Sequence, residues 1–271
     1  MQLHREWVLL EGKHHTTLVV RPVSAALPLP AVVLVHEAWG VDDHILDVTA
    51  RIAAAGYIVV VPDLYWRDGG RPAALVAGRV AVAKRFMDTL PPATWSDQAR
   101  RDAAIADLPE AERAPLAQTL RAIFAGAQDL DTQVATLREV YTYAAQSPLT
   151  DGRRIGAVGF CRGGALVGRL ATVEPGLNAG VIFYGSPPPA ERRSAIRSPL
   201  LGLYGGADEA ITSQIAEFSA SLGAAGVHFE DVVYPGAPHA FFNDTRVSYR
   251  VEAARDAWAR TLGFLARHLS T

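Results

Sequence analysis

Apolar positions along the chain follow two rhythms: short unbroken runs, and longer stretches in which they recur every third or fourth residue. "AVVLVH" (31–36) and "YIVVVPDLY" (57–65) are unbroken runs of strand length, the pattern of strands buried on both faces. Between them, "EAWGVDDHILDVTARIAAAGY" predicts a helix capped by Asp42 or Asp43 and closed by Gly56. Its apolar face is expected to use Ile45, Leu46, Val48, Thr49, Ile52 and Ala53. The alternation resumes with the strands "RIGAVGF", "AGVIFYG", "PLLGLYGGAD" and "VHFEDVVYPG". The helices "RGGALVGRLATV", "ITSQIAEFSASLGAAG" and "SYRVEAARDAWARTLGFLARHL" lie among and after them. Residues 6–21 read as two further strands around "EGKH", an antiparallel edge.

This order predicts an α/β fold with a mostly parallel sheet covered by helices on both faces. Right-handed crossovers then gather the strand C-termini along one edge, where open α/β folds bind ligands. Residues 67–128 break the rhythm with Ala-rich helical patterns punctuated by Pro91-Pro92, Pro109 and Pro115. They predict a helical excursion, either a lid over the strand ends or extra helices on the outer layer. The helical period becomes clean again from Leu130 through Val134, Leu137, Val140 and Tyr141.

Composition narrows the function classes. Of 271 residues, 49% are apolar and 20% charged, ordinary for a domain with a large core. The net charge of −2 is spread without runs of either sign, which argues against nucleic acid or an anionic membrane as partner. The opening "MQLHREWVLLEGKHH" is interrupted by charge, unlike a secretory leader, and no apolar run approaches a membrane span. The expectation is a cytoplasmic protein, monomeric or a small homo-oligomer, acting on a small molecule. One cysteine excludes an internal disulfide and a four-thiolate zinc site. His14-His15, expected in a turn, and His228, expected exposed on a strand, offer no metal-ligand spacing, so neither metal nor cofactor is expected.

That single thiol, Cys161, sits in "RIGAVGFCRGGALVGRL". A lone cysteine is ordinarily a small buried hydrophobe. Here it lies where a buried strand turns into a helix, flanked by Gly159 and Gly163, the pattern of a nucleophile elbow. The helix N-terminus beneath favours negative charge, and its N–H groups can hold an oxyanion. Such a nucleophile needs a base and an acid at later strand ends. Asp208 follows "LLGLYGGAD" and His239 lies in "YPGAPHAFF", so the order Cys161, Asp208, His239 matches α/β-hydrolases. The competing reading makes Asp208 a helix cap and His239 a structural residue. The loop "HEAWG" (36–40) follows the first strong strand, where a second oxyanion donor belongs. The backbone N–H groups of Ala38 and Arg162 are the candidate pair. Glu37 is unusual, because a carboxylate at an apolar pocket mouth is costly without a partner.

With these residues assembled, the sequence resembles the dienelactone hydrolase family of α/β-hydrolases. The likeness runs through "VLVHEAWGVDDHILDVTARIAAAGYIVVVPDLY", "IGAVGFCRGG", "LLGLYGGADEAIT" and "YPGAPHAFFND", nearly the whole chain. It implies a single α/β-hydrolase domain over residues 1–271 carrying the helical insertion at about 67–128. It also implies that Cys161 is the nucleophile, that Asp208 orients His239, and that His239 is the general base. In that family the carboxylate equivalent to Glu37 hydrogen-bonds the resting thiol and helps generate the thiolate. The family arginine that holds a substrate carboxylate, four residues after the histidine, is here Asn243, and Arg246 does not align with it. For a second family arginine, Arg67, Arg71 and Arg79 are equal candidates. Trp39, Trp66 and Asn243 are candidate substrate contacts, although either tryptophan could be core packing.

The reading is a hydrolase of small esters or lactones working through a Cys–His–Asp triad and an acyl-thioester. Two alternatives use the same scaffold. A redox or electrophile sensor would oxidise Cys161, but no second cysteine is present to resolve it. A non-catalytic binding module would have no use for the full set of triad and oxyanion residues.

Overall fold

The computed structural model describes residues 2–10, 15–67, 69–91, 94–95, 97–125 and 129–270. The expected turn at residues 11–14, including His14, lies outside them, as does Pro92. Eight strands form one sheet: β1 (Leu3–Leu9), β2 (Thr16–Pro22), β3 (Ala31–Val35), β4 (Ile58–Pro62), β5 (Ile155–Phe160), β6 (Ala179–Phe183), β7 (Leu200–Gly205) and β8 (Phe229–Tyr234). Their order is β1-β2-β4-β3-β5-β6-β7-β8. β1 and β2 pair antiparallel with their neighbours, and the strands from β4 to β8 are parallel.

Successive residues of the central strands serve opposite faces. Val32 and Leu34 pack with Ile45, Val48 and Ile52 of α1 (Asp43–Ala54) and with Phe264 and Leu265 of α9 (Val251–Leu269). Val33 and Val35 face the other way, toward Leu137 of α5 (Leu130–Gln146), Leu166 of α6 (Arg162–Val173) and Phe218 of α8 (Ile215–Ala224). Both faces are covered, so β3, β4 and β5 read as unbroken apolar runs.

Local chemistry explains the helix limits. Asp42 caps α1 by accepting the Ile45 N–H at 3.1 Å, and Gly56 beyond its end has φ +100°. Leu46 departs from expectation: it is exposed, and His44 is buried instead. The buried stripe centres on Ile45, Val48 and Ile52, which turns Leu46 outward. The helix expected over 211–226 is split into α7 (Glu209–Thr212) and α8, because Gln214 N–H bonds the Ile211 carbonyl and tightens the turn between them.

Between β4 and α5 the chain leaves the sheet for α2 (Ala77–Asp88), α3 (Gln98–Ala106) and α4 (Glu110–Ala125). α4 runs through Pro115, whose missing N–H frees only a carbonyl in the helix's exposed first turn. These helices bury a core of their own, with Leu75, Val80, Met87, Leu116, Leu120 and Ile123, and it also takes in Trp39 and Tyr65 from loops at the sheet edge. No helix is long and apolar enough to cross a membrane, among the described residues.

Among the described glycines, the tightest backbone approaches lie between α6 and the strands beside it. A Cβ on Gly163 would lie 2.3 Å from the Val35 carbonyl oxygen, and one on Gly159 2.1 Å from that of Gly163. These neighbours are backbone and cannot rotate away. Gly163→Ala is therefore expected to destabilise the fold by about 3 kcal/mol, measured by urea unfolding. Gly78, in α2, has open space around it. Gly78→Ala should instead stabilise by about 0.5–1 kcal/mol in the same measurement.

Candidate active site

Cys161 stands between β5 and the first residue of α6, with φ 55° and ψ −118°. A non-glycine residue holds such a backbone at a cost of about 1–3 kcal/mol, met by the surrounding structure. Its N–H is tied to the Phe183 carbonyl at 2.9 Å, and its side chain is half-buried. The glycines on either side let α6 rise steeply without collision, which leaves the sulfur at the C-terminal edge of the sheet.

Asp208 and His239 reach the same edge from the ends of β7 and β8. Their loops are stitched together: the Gly206 N–H bonds the Tyr234 carbonyl at 2.8 Å, and the Ala207 N–H that of Ala237 at 3.0 Å. Asp208 occupies the cap position of α7, yet its side chain caps no N–H. Instead Oδ2 lies 2.5 Å from His239 Nδ1. The acceptor carboxylate assigns the proton to Nδ1, and the ring lies close enough to Cys161 for the charge of a thiolate there to act on it. Crowding by protein atoms alone would lower the imidazole's pKa. The Cys161 charge, the hydrogen bonds to Asp208 and Cys161 and the Asp208 charge outweigh it and push His239 up to about 10.

Glu37 is 2% exposed and has both oxygens engaged. The Tyr184 hydroxyl donates to Oε1 at 3.0 Å, and the Asn243 amide donates to Oε2 at 2.8 Å. Glu37 is thus held beside the triad, with its hydrogen bonds going to Tyr184 and Asn243 and not to the thiol. Tyr184 connects the two groups, since its ring centroid lies 5.1 Å from that of His239. Burial, reinforced by Glu37, pushes the Tyr184 phenol well above its usual value, which keeps it a donor. Sequence reasoning missed Tyr184, whose only signal was its position at the end of "VIFY" beside the elbow strand.

The three candidate substrate contacts fare differently. Asn243 is fully buried, and its amide oxygen accepts from the Thr245 N–H and hydroxyl, at 3.1 and 2.7 Å. It braces Glu37, and both ends of its amide are engaged within the protein, in place of the exposed position expected of a substrate contact. Trp39 is buried edge-on against Trp95, with ring centroids 5.6 Å apart. It also borders a cavity of about 200 Å³ between α2 and the loop after β3, which no triad residue lines. Trp66 is half-buried. Of the candidate arginines, Arg71 pairs with Asp63 at 2.6 Å, Arg79 bonds Pro115 and Gln118, and Arg67 bonds the Leu64 and Trp66 carbonyls. Arg246 is bound to Asp88 and stacks over Trp95 at 4.3 Å.

Ala38 and Arg162, the candidate oxyanion donors, flank the elbow. Among the described residues, neither N–H is the donor of a hydrogen bond within the protein. Away from this edge, His228, Glu230 and His268 bring three potential metal ligands within 4.8 Å of one another. Linear spacing hid that group, because α9 folds back beside β8. Arg267 already bonds Glu230 at 2.7 Å, and the cluster lies by the start of β8, far from the strand ends that carry the triad.

Two measurements probe this geometry. A histidine whose folded pKa is raised stabilises the fold fully below its unfolded value and loses that contribution as pH rises through the folded one. The urea midpoint of the wild type should therefore fall between about pH 6.5 and 10, and less steeply in His239→Gln. Asn243→Leu leaves Glu37 short of a buried donor and should cost about 1.5–3 kcal/mol in unfolding free energy.

Comparison with known proteins identifies the family and the fold. The model of the dienelactone hydrolase family matches residues 16–269. A relative from Saccharolobus solfataricus, named "Putative carboxymethylenebutenolidase", is 33% identical over 242 residues, covering 89% of this chain and 90% of that one. One of the same name from Escherichia coli (strain K12) is 31% identical, covering 95% of this chain and 84% of the relative. A crystal structure from Klebsiella pneumoniae, a "Putative Dienelactone Hydrolase", superposes with TM-score 0.69 at 28% identity, covering 98% of this chain and all of that one. The dienelactone hydrolase of Anabaena variabilis shares the fold at 17% identity, with TM-score 0.61 and 99% of each chain covered. This chain belongs to the dienelactone hydrolase family and has its α/β-hydrolase fold.

Proposed function

We propose that this carboxylic ester hydrolase cleaves small esters or lactones with Cys161 as nucleophile, through an acyl-thioester. The observation that carries the reading is the convergence of Asp208, His239 and Cys161: the carboxylate lies 2.5 Å from the ring, the ring is near enough to Cys161 for their charges to interact, and Cys161 has the strained backbone of a nucleophile elbow.

The chemistry follows from charge. The sulfur, as thiolate, attacks the substrate carbonyl carbon, and the carbonyl electron pair moves onto oxygen. The Ala38 and Arg162 N–H groups receive that oxyanion; one such donor is worth about 10²–10³ in rate. Collapse re-forms the carbonyl and breaks the bond to the leaving oxygen, which takes the proton from the His239 imidazolium. Acylation also removes the sulfur's negative charge, the strongest support for His239's raised pKa. The ring then becomes a base that can take a proton from water. Hydroxide attack on the thioester expels the thiolate and releases the acid. Neither metal nor cofactor is required, since thiol and N–H groups supply nucleophile and charge stabilisation.

The position that supplies a carboxylate-binding arginine in the family's dienelactone-cleaving members is here Asn243, engaged with Glu37. The reading is therefore of small activated esters or enol-lactones, whose leaving groups depart readily, without a required carboxylate.

Mixing with p-nitrophenyl acetate and quenching is expected to give a mass adduct of one acetyl group on Cys161. Alkylating the thiol should lower turnover by at least about 10³-fold. Full turnover after complete alkylation would rule out Cys161 as the nucleophile.

A further inference from the structure

The loop carrying Ala38 and the residue after the nucleophile are joined beneath the sheet edge by three buried side chains. The Ala38 N–H belongs to the peptide whose carbonyl is that of Glu37. That carbonyl accepts a hydrogen bond from His36 Nδ1 at 2.6 Å, while His36 Nε2 accepts the Leu64 N–H at 3.2 Å. Both ring nitrogens are thereby assigned, with the proton on Nδ1. Burial pushes His36 down to about 4, so the ring is neutral at ordinary pH and keeps this pattern. The next peptide is held as well: the Tyr65 hydroxyl donates to the Ala38 carbonyl at 2.6 Å.

Tyr65 in turn accepts a hydrogen bond from the Arg162 guanidinium, which also donates to the Ile123 carbonyl at 3.2 Å in the last turn of α4. Arg162 is 8% exposed, and among the described residues it forms no salt bridge with a carboxylate. Its charge is balanced by a phenol oxygen and the negative end of a helix. A buried cation held in this way is costly unless its surroundings stay fixed, and it adds positive potential behind the place where an oxyanion forms.

We propose that His36, Tyr65 and the Arg162 side chain are positioning residues that lock the Ala38 and Arg162 N–H groups into one oxyanion-binding unit, a reading that rests on Cys161 being the acylated nucleophile. The side chain of one donor residue holds the peptide of the other through Tyr65. His36 polarises the Ala38 N–H from the far side of its own peptide, since a hydrogen bond at the carbonyl strengthens the donor at the nitrogen. The same guanidinium ties α4 to the elbow, so the helical excursion supports the site directly.

The test separates oxyanion stabilisation from thiol reactivity. Acylation of Cys161 by p-nitrophenyl acetate passes through a tetrahedral oxyanion, whereas alkylation by iodoacetamide is a displacement at carbon that needs none. Tyr65→Phe removes one hydroxyl and keeps the ring. It is expected to slow acylation about tenfold, with kcat and kcat/KM falling together and the alkylation rate changing less than twofold. His36→Leu should behave the same way, and His36→Gln, whose amide can donate to the same carbonyl, should recover part of the loss. An unchanged acylation rate in Tyr65→Phe, or equal losses in acylation and alkylation, overturns the positioning role. Absence of any acyl adduct in the wild type would overturn the nucleophile assignment itself, and this proposal with it.

Discussion

Backbone-to-backbone contact where α6 meets the ends of β3 and β5 governs how the rest of the molecule is arranged. Gly159 and Gly163 allow that contact, with the Val35 and His36 carbonyls close to where a Cβ on Gly163 would stand. The same steep rise forces Cys161 to φ 55° and brings the first N–H of α6 to the sheet edge. Because the His36 carbonyl borders Gly163, the loop carrying Ala38 is drawn in beside the elbow. One steric requirement thus places Cys161 and the Ala38 and Arg162 N–H groups at once. Three of the four non-glycine residues with positive φ among those described are Cys161, Tyr184 and Ala240, all at this site. Backbone strain is gathered at the edge where Cys161, Asp208 and His239 meet, as is common where a scaffold holds side chains away from their relaxed geometry.

Electrostatics complete what sterics begin. The site brings a sulfur and a carboxylate to one imidazole, and both favour the charged form of the His239 ring. Glu37 adds a second buried carboxylate, separated from the triad by Tyr184 and neutral in its demands because Asn243 satisfies its other oxygen. In this chain the amide at position 243 and the Tyr184 hydroxyl together fix the Glu37 carboxylate in place.

The helical excursion is built into the site. The Ile123 carbonyl in the last turn of α4 accepts a hydrogen bond from Arg162, and Trp39 and Tyr65 belong to the core of the excursion while their loops border the sheet edge. Packing in that satellite core therefore bears directly on the loop that carries Ala38.

Much of this was legible in the linear pattern. Unbroken apolar runs marked the parallel strands because both their faces are buried, and the small residues around Cys161 marked the elbow because only glycine tolerates the approach. Asp208 and His239 were legible from their places after β7 and β8, since parallel strands deliver their ends to one edge. Three kinds of fact were not. Leu46 and His44 exchanged places because a helix's orientation is chosen by the surface it meets, not by its own apolar count. Asn243 looked like a ligand contact by its offset from His239, yet the fold buried it against Glu37. The partnership of Arg162 with Tyr65, Ala38 and Ile123 joins segments distant in the chain, and nothing in the local sequence of any one names the others. The sequence by itself determined the alternation of elements, the strained thiol turn and the placing of Asp208 and His239 after β7 and β8, because these depend on local sterics and on period. Which buried polar groups satisfy one another was decided only by tertiary structure, because hydrogen-bond partners are chosen by proximity after the chain has folded.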